Sequence, residues 1–206
     1  MILEIFPSGP IATNAILIGC PQTKRAAVID APLKSCQQIL AAQQRHGLHV
    51  EMILLTHSHW DHIAEVALFK KEFGAHVLIH AEDAGNLERP GSDGLTSLFP
   101  ITGVKPDGYL VDGQQLFVGN LDIEVIHTPG HSPGCVCFYL EREKILISGD
   151  TLFRGGMGNL TLPTARPQLM KESFKKLARL PSDVKVIPGH GKPTTIGAEQ
   201  IDLLCN

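Results

Sequence analysis

The stretch LLTHSHWDH, residues 54–62, places three histidines and one aspartate within six consecutive positions, directly after an apolar run. A buried core has little use for so many titratable side chains. His57 and His59 stand two apart in an extended turn, so both imidazoles can converge on one cation. Asp61 and His62 follow at once and can face a second centre, which favours two metal ions over one. Imidazole with carboxylate and without thiolate suits zinc first, with iron or manganese as alternatives, and disfavours calcium and magnesium.

Outward from this stretch, three more positions share its context. His131 in TPGHSPG, Asp150 in LISGD and His190 in IPGHG each follow an apolar β run, beside glycines that let the backbone turn sharply. Four strand ends thus offer ligands to one sheet edge. His46, His49, His76, His80 and His127 lack this context and read as surface or core residues. His127, close in sequence to His131, is the one among them that could support a ligand. Thr56 and Asp30, at nearby strand ends, are further candidates for that role, and simple turn capping explains them equally well.

The rest of the chain reads as mixed α/β. ILEIF, NAILIG and AAVIDA are short β segments bounded by turn residues. Residues 35–47 predict a helix with a Ser35 cap and a terminal glycine, and 50–57 a buried strand that delivers the histidine motif into a loop. Helical spacing at Ile63, Val66, Ala67 and Phe73 closes on Gly74, and HVLIH returns as a strand. Residues 82–115, rich in Gly, Pro, Asp and Ser, predict a long loop or a lid. A run of β segments follows to residue 150, then a helix in 166–180, a strand in 184–191 and a short closing helix around 196–204. Strands precede helices in both halves, which predicts two sheet-plus-helix units packed sheet to sheet.

With 206 residues, one domain spanning 1–206 is expected. A net charge of −3 gives no electrostatic footprint for nucleic acid. No apolar run reaches the roughly 18 residues a membrane helix needs, and MILEIFPSGP lacks the shape of a signal peptide, so a cytoplasmic protein without a membrane partner is expected. The five cysteines (Cys20, Cys36, Cys135, Cys137 and Cys205) show no CxxC pairing and read as reduced thiols, Cys135 and Cys137 sharing one face of a buried strand.

THSHWDH, HTPGHSPG, SGD and PGHG together resemble the metallo-β-lactamase superfamily, and SGDTLFRGGMGNLTLP with VIPGHGKPTTIGAE resembles its glyoxalase II (hydroxyacylglutathione hydrolase) branch. The resemblance implies an α+β fold, a four-layer αβ/βα sandwich of two mixed sheets with helices outside. It also implies that His57, His59 and His131 hold one metal, that Asp61, His62 and His190 hold the other, and that Asp150 bridges them.

Two such cations can share a hydroxide, because metal binding lowers the pKa of water from 15.7 toward about 7, and can polarise a carbonyl. The expected enzyme is therefore a binuclear metal-dependent hydrolase of a small thioester or related acyl substrate, glutathione-linked in the branch it resembles. Asp61 would orient the hydroxide as well as bind metal, and no GxSxG nucleophile competes with it. Three features depart from the branch. Glu65 follows the motif where small residues are usual, and would either charge the first turn of the next helix or narrow the site. Asn159 replaces a cation suited to a glutathione carboxylate, with Arg154, Arg166 and Lys192 as compensating candidates. A compact form without the helical C-terminal domain of typical members is expected. Competing expectations are a mononuclear iron persulfide dioxygenase, a non-glutathione lactone or ester hydrolase, and a metal-binding protein without activity. β-Lactam hydrolysis is disfavoured by the GHGKPTTIG ending and by the missing signal peptide.

Overall fold

In strand β2 (Thr13–Gly19) all seven residues are buried, yet they belong to two different cores. Ala15 and Leu17 pack on one side and Ile16 and Ile18 on the other, as the two-residue period of a strand requires. The same alternation splits β3 (Arg25–Ile29), with Ala26 and Val28 on one face and Ala27 and Ile29 on the other. A strand apolar on both faces needs cover on both, and this dictates the layering. The computed structural model describes residues 1–199.

Sheet A has the order β1-β2-β3-β4-β5-β6, with β1 (Ile2–Ser8), β4 (His49–Leu54), β5 (His76–His80) and β6 (Gly108–Leu110) completing it. β1, β2 and β3 pair antiparallel, whereas β3 through β6 pair parallel. Parallel pairs need crossovers, supplied by α1 (Cys36–His46), α2 (Val66–Phe73) and α3 (Ala81–Glu88). Sheet B has the order β12-β11-β10-β9-β8-β7, formed by β7 (Gln115–Val118), β8 (Leu121–His127), β9 (Val136–Leu140), β10 (Ile145–Gly149), β11 (Lys185–Pro188) and β12 (Thr194–Thr195). Helix α4 (Pro167–Leu177) crosses between the parallel β10 and β11.

Three cores define four layers. One lies between sheet A and its helices, where Phe69 of α2 and Ile39 of α1 meet Val28 and Ile53. A second joins the sheets through Ile16, Ile29, Leu54, Val125, Phe138 and Ile147. The third sets Met170, Phe174 and Leu177 of α4 on Cys137, Tyr139 and Val186. Each such fully buried large side chain contributes about 1.5–3 kcal/mol through lost apolar exposure. The result is the α+β sandwich of two mixed sheets with outer helices expected from the sequence.

Several expectations need correction. The segment 82–115 is not one long loop: it contains most of α3, and β6 near its end. Helix α3 is short and carries Gly85 at its middle, which hides its periodicity; its start is marked by His80, whose ring nitrogen accepts from Glu82 N at 3.3 Å. Strand β12 was not foreseen. Of the closing helix expected around 196–204, residues 196–199 form a turn and the remainder lies outside the described residues, as does Cys205. The other four cysteines are free and buried.

Ser35 occupies the N-cap position of α1 without capping it. Its hydroxyl donates to Pro32 O at 2.6 Å instead. The capping acceptor is Glu65, whose carboxylate takes Lys34 N at 2.7 Å and Cys36 N at 2.8 Å. Glu65 therefore anchors the start of α1 from the next crossover, and neither charges α2 through a cap bond nor closes over the metal loop. Glu65→Ala is expected to lower folding stability by about 1–2 kcal/mol, the usual cost of a lost cap. Urea unfolding checks this: the midpoint should fall with an unchanged slope, and an unchanged midpoint would refute the anchoring role.

Candidate metal centre

Strand direction brings the seven titratable residues of the sequence motifs to one edge. β3 and β4 run parallel, so Asp30 and the 56–62 loop emerge side by side. In sheet B, β8 and β10 point the same way because β9 is antiparallel to both, and β10 is parallel to β11. His131, Asp150 and His190 consequently leave the same edge. A backbone bridge between Thr13 and His190 joins the two sheets there, reinforced by Asn14, which donates from its backbone to Gly189 O at 2.7 Å and from Nδ2 to Pro188 O at 2.8 Å.

The approach is close enough to demand glycine. Gly149 has φ +49, and a Cβ on it would lie 2.6 Å from Cβ of Thr56. Asp30 also adopts a left-handed φ of 59°, a conformation that asparagine and aspartate tolerate best. It is held there by its own carboxylate, which accepts from Thr56 N at 2.9 Å, from Thr56 Oγ1 at 2.8 Å and from His62 Nδ1 at 2.8 Å.

Most of the imidazoles are aimed by what their outward nitrogen touches. His57 Nδ1 meets Thr56 Oγ1 at 3.0 Å, and since that hydroxyl donates to Asp30, the ring donates to it and turns Nε2 inward. His131 Nδ1 bonds Asn159 O at 2.9 Å, and His190 Nδ1 bonds Ile11 O at 3.2 Å. These partners leave the Nε2 atoms of His57, His62, His131 and His190 for the centre. His59 differs, presenting Nδ1 to His131 Nε2 at 2.8 Å.

Three ligand groups result: His57, His59 and His131; His57, His62 and Asp150; Asp61, His62 and His190. Within each, the ligand atoms lie within 4.8 Å of one another. Asp150 is the carboxylate that faces both sides, with oxygens 3.3 Å from His62 Nε2, 3.4 Å from His131 Nε2 and 3.6 Å from His190 Nε2. Asp61 Oδ2 accepts from Thr13 Oγ1 at 2.7 Å and lies 3.2 Å from Nε2 of both His62 and His190.

The donor set fits divalent metal. Nε2 of His57 and of His62 and Oδ1 of Asp150 are buried without a hydrogen-bond partner, an arrangement costing about 1–3 kcal/mol per group unless something else is met there. Electrostatics agree. Burial, reinforced by neighbouring imidazoles, holds His57 well below the usual histidine range and takes His59 down to about 3, so that both rings are in the neutral, metal-ready form. At His62 burial opposes charge, but Asp61, Asp30 and Asp150 prevail and raise its pKa well above normal. That negative potential is what a cation would meet in place of a proton. Burial likewise opposes ionisation of Asp61, yet His62, His190 and the Thr13 hydroxyl pull its pKa far down.

Thr13 and the Ile11 carbonyl were not anticipated. Neither lies in a motif, and only the bridge across the sheets brings them to Asp61 and His190. His127 does not support a ligand. Its Nε2 bonds Pro133 O at 3.0 Å and its ring stacks on His80 at 4.0 Å. The Asn159 side chain accepts from Thr161 N and Oγ1, both at 2.8 Å, which turns it to local use. Arg154, Arg166 and Lys192 are exposed, and among the described residues no helix is long and apolar enough to cross a membrane.

Comparison with known proteins bears on the family and the fold. A family model described as the metallo-beta-lactamase superfamily matches residues 8–190. Hydroxyacylglutathione hydrolase GloC of Haemophilus influenzae is 31% identical over 97% of this chain and 95% of its own length. Among solved structures, BLEG-1 B3 metallo-beta-lactamase superposes with a TM-score of 0.88 at 36% identity, covering 96% of both chains. TTHA1623 in a di-iron-bound form superposes with a TM-score of 0.82 at 35% identity, over 95% of this chain and 96% of its own.

Proposed function

The chain belongs to the metallo-beta-lactamase superfamily, whose members are metal-dependent hydrolases, and from that premise we propose a binuclear hydrolase of a small thioester or related acyl substrate. The observation that carries this reading is the convergence of the His57–His59–His131 and Asp61–His62–His190 groups, with Asp150 facing both. Two bound divalent cations there would supply an acidified water and a Lewis acid for an acyl carbonyl.

The chain's own residues set the terms of the reaction. Asp61, whose charge His62, His190 and the Thr13 hydroxyl favour against burial, can accept a hydrogen bond from the attacking water, and the Thr13 hydroxyl orients it by holding Oδ2. His57 and His59, neutral because buried, would hold metal without first losing a proton. Asp30 and the backbone carbonyls of Asn159 and Ile11 keep three of the rings from swinging out. Leaving-group expulsion as thiolate needs no side-chain acid, because a thiol's ordinary pKa of about 8.5 makes the anion an acceptable product near neutrality.

Zinc is the first choice of metal for this nitrogen and oxygen donor set, and the di-iron form of TTHA1623 makes iron the alternative. Likeness to GloC supports glutathione as the thiol carrier. The Asn159 side chain is engaged with Thr161, so glutathione would have to be read by other groups. A second reading, β-lactam hydrolysis, draws on the likeness to BLEG-1.

Steady-state hydrolysis by zinc- and iron-loaded protein separates these readings, using S-lactoylglutathione, the lactoyl ester of a neutral thiol and a chromogenic cephalosporin. The expected result is thioester cleavage at about 10⁴ M⁻¹s⁻¹ or more in kcat/KM, lost in His59→Ala. Equal rates on both thioesters would mean the acyl group alone is recognised. Cleavage of the cephalosporin without thioester turnover would replace the proposal, as would oxygen uptake with glutathione persulfide dependent on one bound iron.

A further inference from the structure

Helix α3, absent from the sequence motifs, supplies two side chains that reach the metal loops. Asp83 is buried at 3% exposure. Its Oδ2 accepts from Ser58 N at 2.8 Å, Ser58 Oγ at 3.3 Å and Ser132 Oγ at 2.9 Å, and its Oδ1 accepts from Gly134 N at 2.7 Å. Three residues on, and so on the same helix face, Asn86 Nδ2 donates to Ser58 O at 2.6 Å. The residue between His57 and His59 is thereby held at its N–H by one side chain and at its carbonyl by the other.

One carboxylate thus ties the loop after β4 to the loop after β8, which come from different sheets and carry His57, His59 and His131. The fit is tight, since a Cβ on Gly134 would lie 2.6 Å from Asp83 Oδ1. Asp83, Asn86, Ser58, Ser132 and His59 line a cavity of about 170 Å³ beside the two loops. Three of the other four candidate ligands rely on different supports: Asp30 for His62, Thr13 for Asp61 and the Ile11 carbonyl for His190.

We propose that Asp83, assisted by Asn86, is a positioning residue dedicated to the His57–His59–His131 half of the centre. This rests on the ligand grouping above and not on the identity of the substrate. Removing such an outer support typically weakens metal binding 10–100-fold, and here the loss should fall on one half alone.

Cobalt(II) binding to metal-depleted protein tests it, followed by visible absorption and chelator competition in two backgrounds. His190→Ala leaves the first group intact and His59→Ala leaves the second. Asp83→Asn, which keeps shape but turns an amide toward backbone and hydroxyl donors, should weaken cobalt about 10–100-fold in the His190→Ala background. In the His59→Ala background the change should stay within about three-fold, well short of that range. Ser132→Ala, which deletes one of the four bonds, should show the same selectivity in smaller measure and serves if Asp83→Asn does not fold. Equal weakening in both backgrounds would reduce Asp83 to a general structural residue, and no weakening would remove the role altogether. Failure of cobalt to bind in either background with Asp83 intact would overturn the ligand grouping together with this proposal.

Discussion

Asp150→Ala is expected to cost the protein its paired metals and to lower kcat/KM for acyl hydrolysis about a thousand-fold or more, the scale seen when a principal electrostatic stabiliser is deleted. Among the described residues Asp150 is the carboxylate in contact range of His62, His131 and His190 together. Burial opposes its charge, but the imidazoles of His62, His190 and His131 hold its pKa below the ordinary carboxylate value. Without it, two cations held by these groups would lack the carboxylate that offsets their charge, and their repulsion would favour single occupancy. Elemental analysis should find one metal or fewer per chain. Asp150→Asn, similar in shape but uncharged, should behave nearly as badly, which assigns the effect to charge. Two retained metals with activity within ten-fold of the parent would refute the bridging role.

Metal removal is expected to be the second large effect. With free metal a thousand-fold above Kd, loaded protein should be about 4 kcal/mol more stable than metal-free protein, or about 8–16 °C in Tm for a chain of this size. The pH dependence should also diverge. In metal-free protein His57 and His59 have folded pKa values below the 6.5 of an ordinary histidine, His59 about 3. Such groups stabilise the fold above pH 6.5, and that stability is lost as pH falls toward the folded values. The depressed carboxyls of Asp61 and Asp150 add a loss of the same sign below about pH 4. His62 and His190, with raised pKa values, act oppositely: their contribution is full below pH 6.5 and fades as pH rises through the folded values. Metal-free protein should therefore lose Tm on acidification from pH 7 toward 4. Loaded protein should hold its Tm until protons displace the metal. Calorimetry with and without chelator decides this, and coincident curves would mean that no metal is bound by these residues.

What could be read from residue order alone was the architecture and the set of titratable side chains that it gathers at one edge. His57, His59, Asp61, His62, His131, Asp150 and His190 all sit at strand ends beside turn residues, and strand ends in such a fold converge because parallel strands finish at a common edge. Periodicity likewise exposed the long elements, among them α1 with its left-handed Gly47 and α4 with Met170, Phe174 and Leu177 on one face. Both signals are local: a ligand motif, a heptad-like spacing or a glycine stop is complete within a dozen residues.

Asp30 and Thr56 stood out at neighbouring strand ends, with turn capping as an equal alternative, and the structure sets them on His62 and His57; the other groups that hold the cluster were decided only by the tertiary structure. Glu65 caps a helix 29 residues earlier in the chain, Thr13 reaches Asp61 across 48, and Asp83 joins Ser58 to Ser132 across 25 and 49. None of these carries a sequence signal, because an aspartate in a short polar helix reads as a solvated face until the helix is seen packed on a loop. Hydrogen-bond supports are selected by distance and direction in three dimensions. Side chains at strand ends are placed by a backbone geometry that the sequence writes locally, and that difference is why the cluster of histidines and aspartates was legible while most of its scaffolding was not.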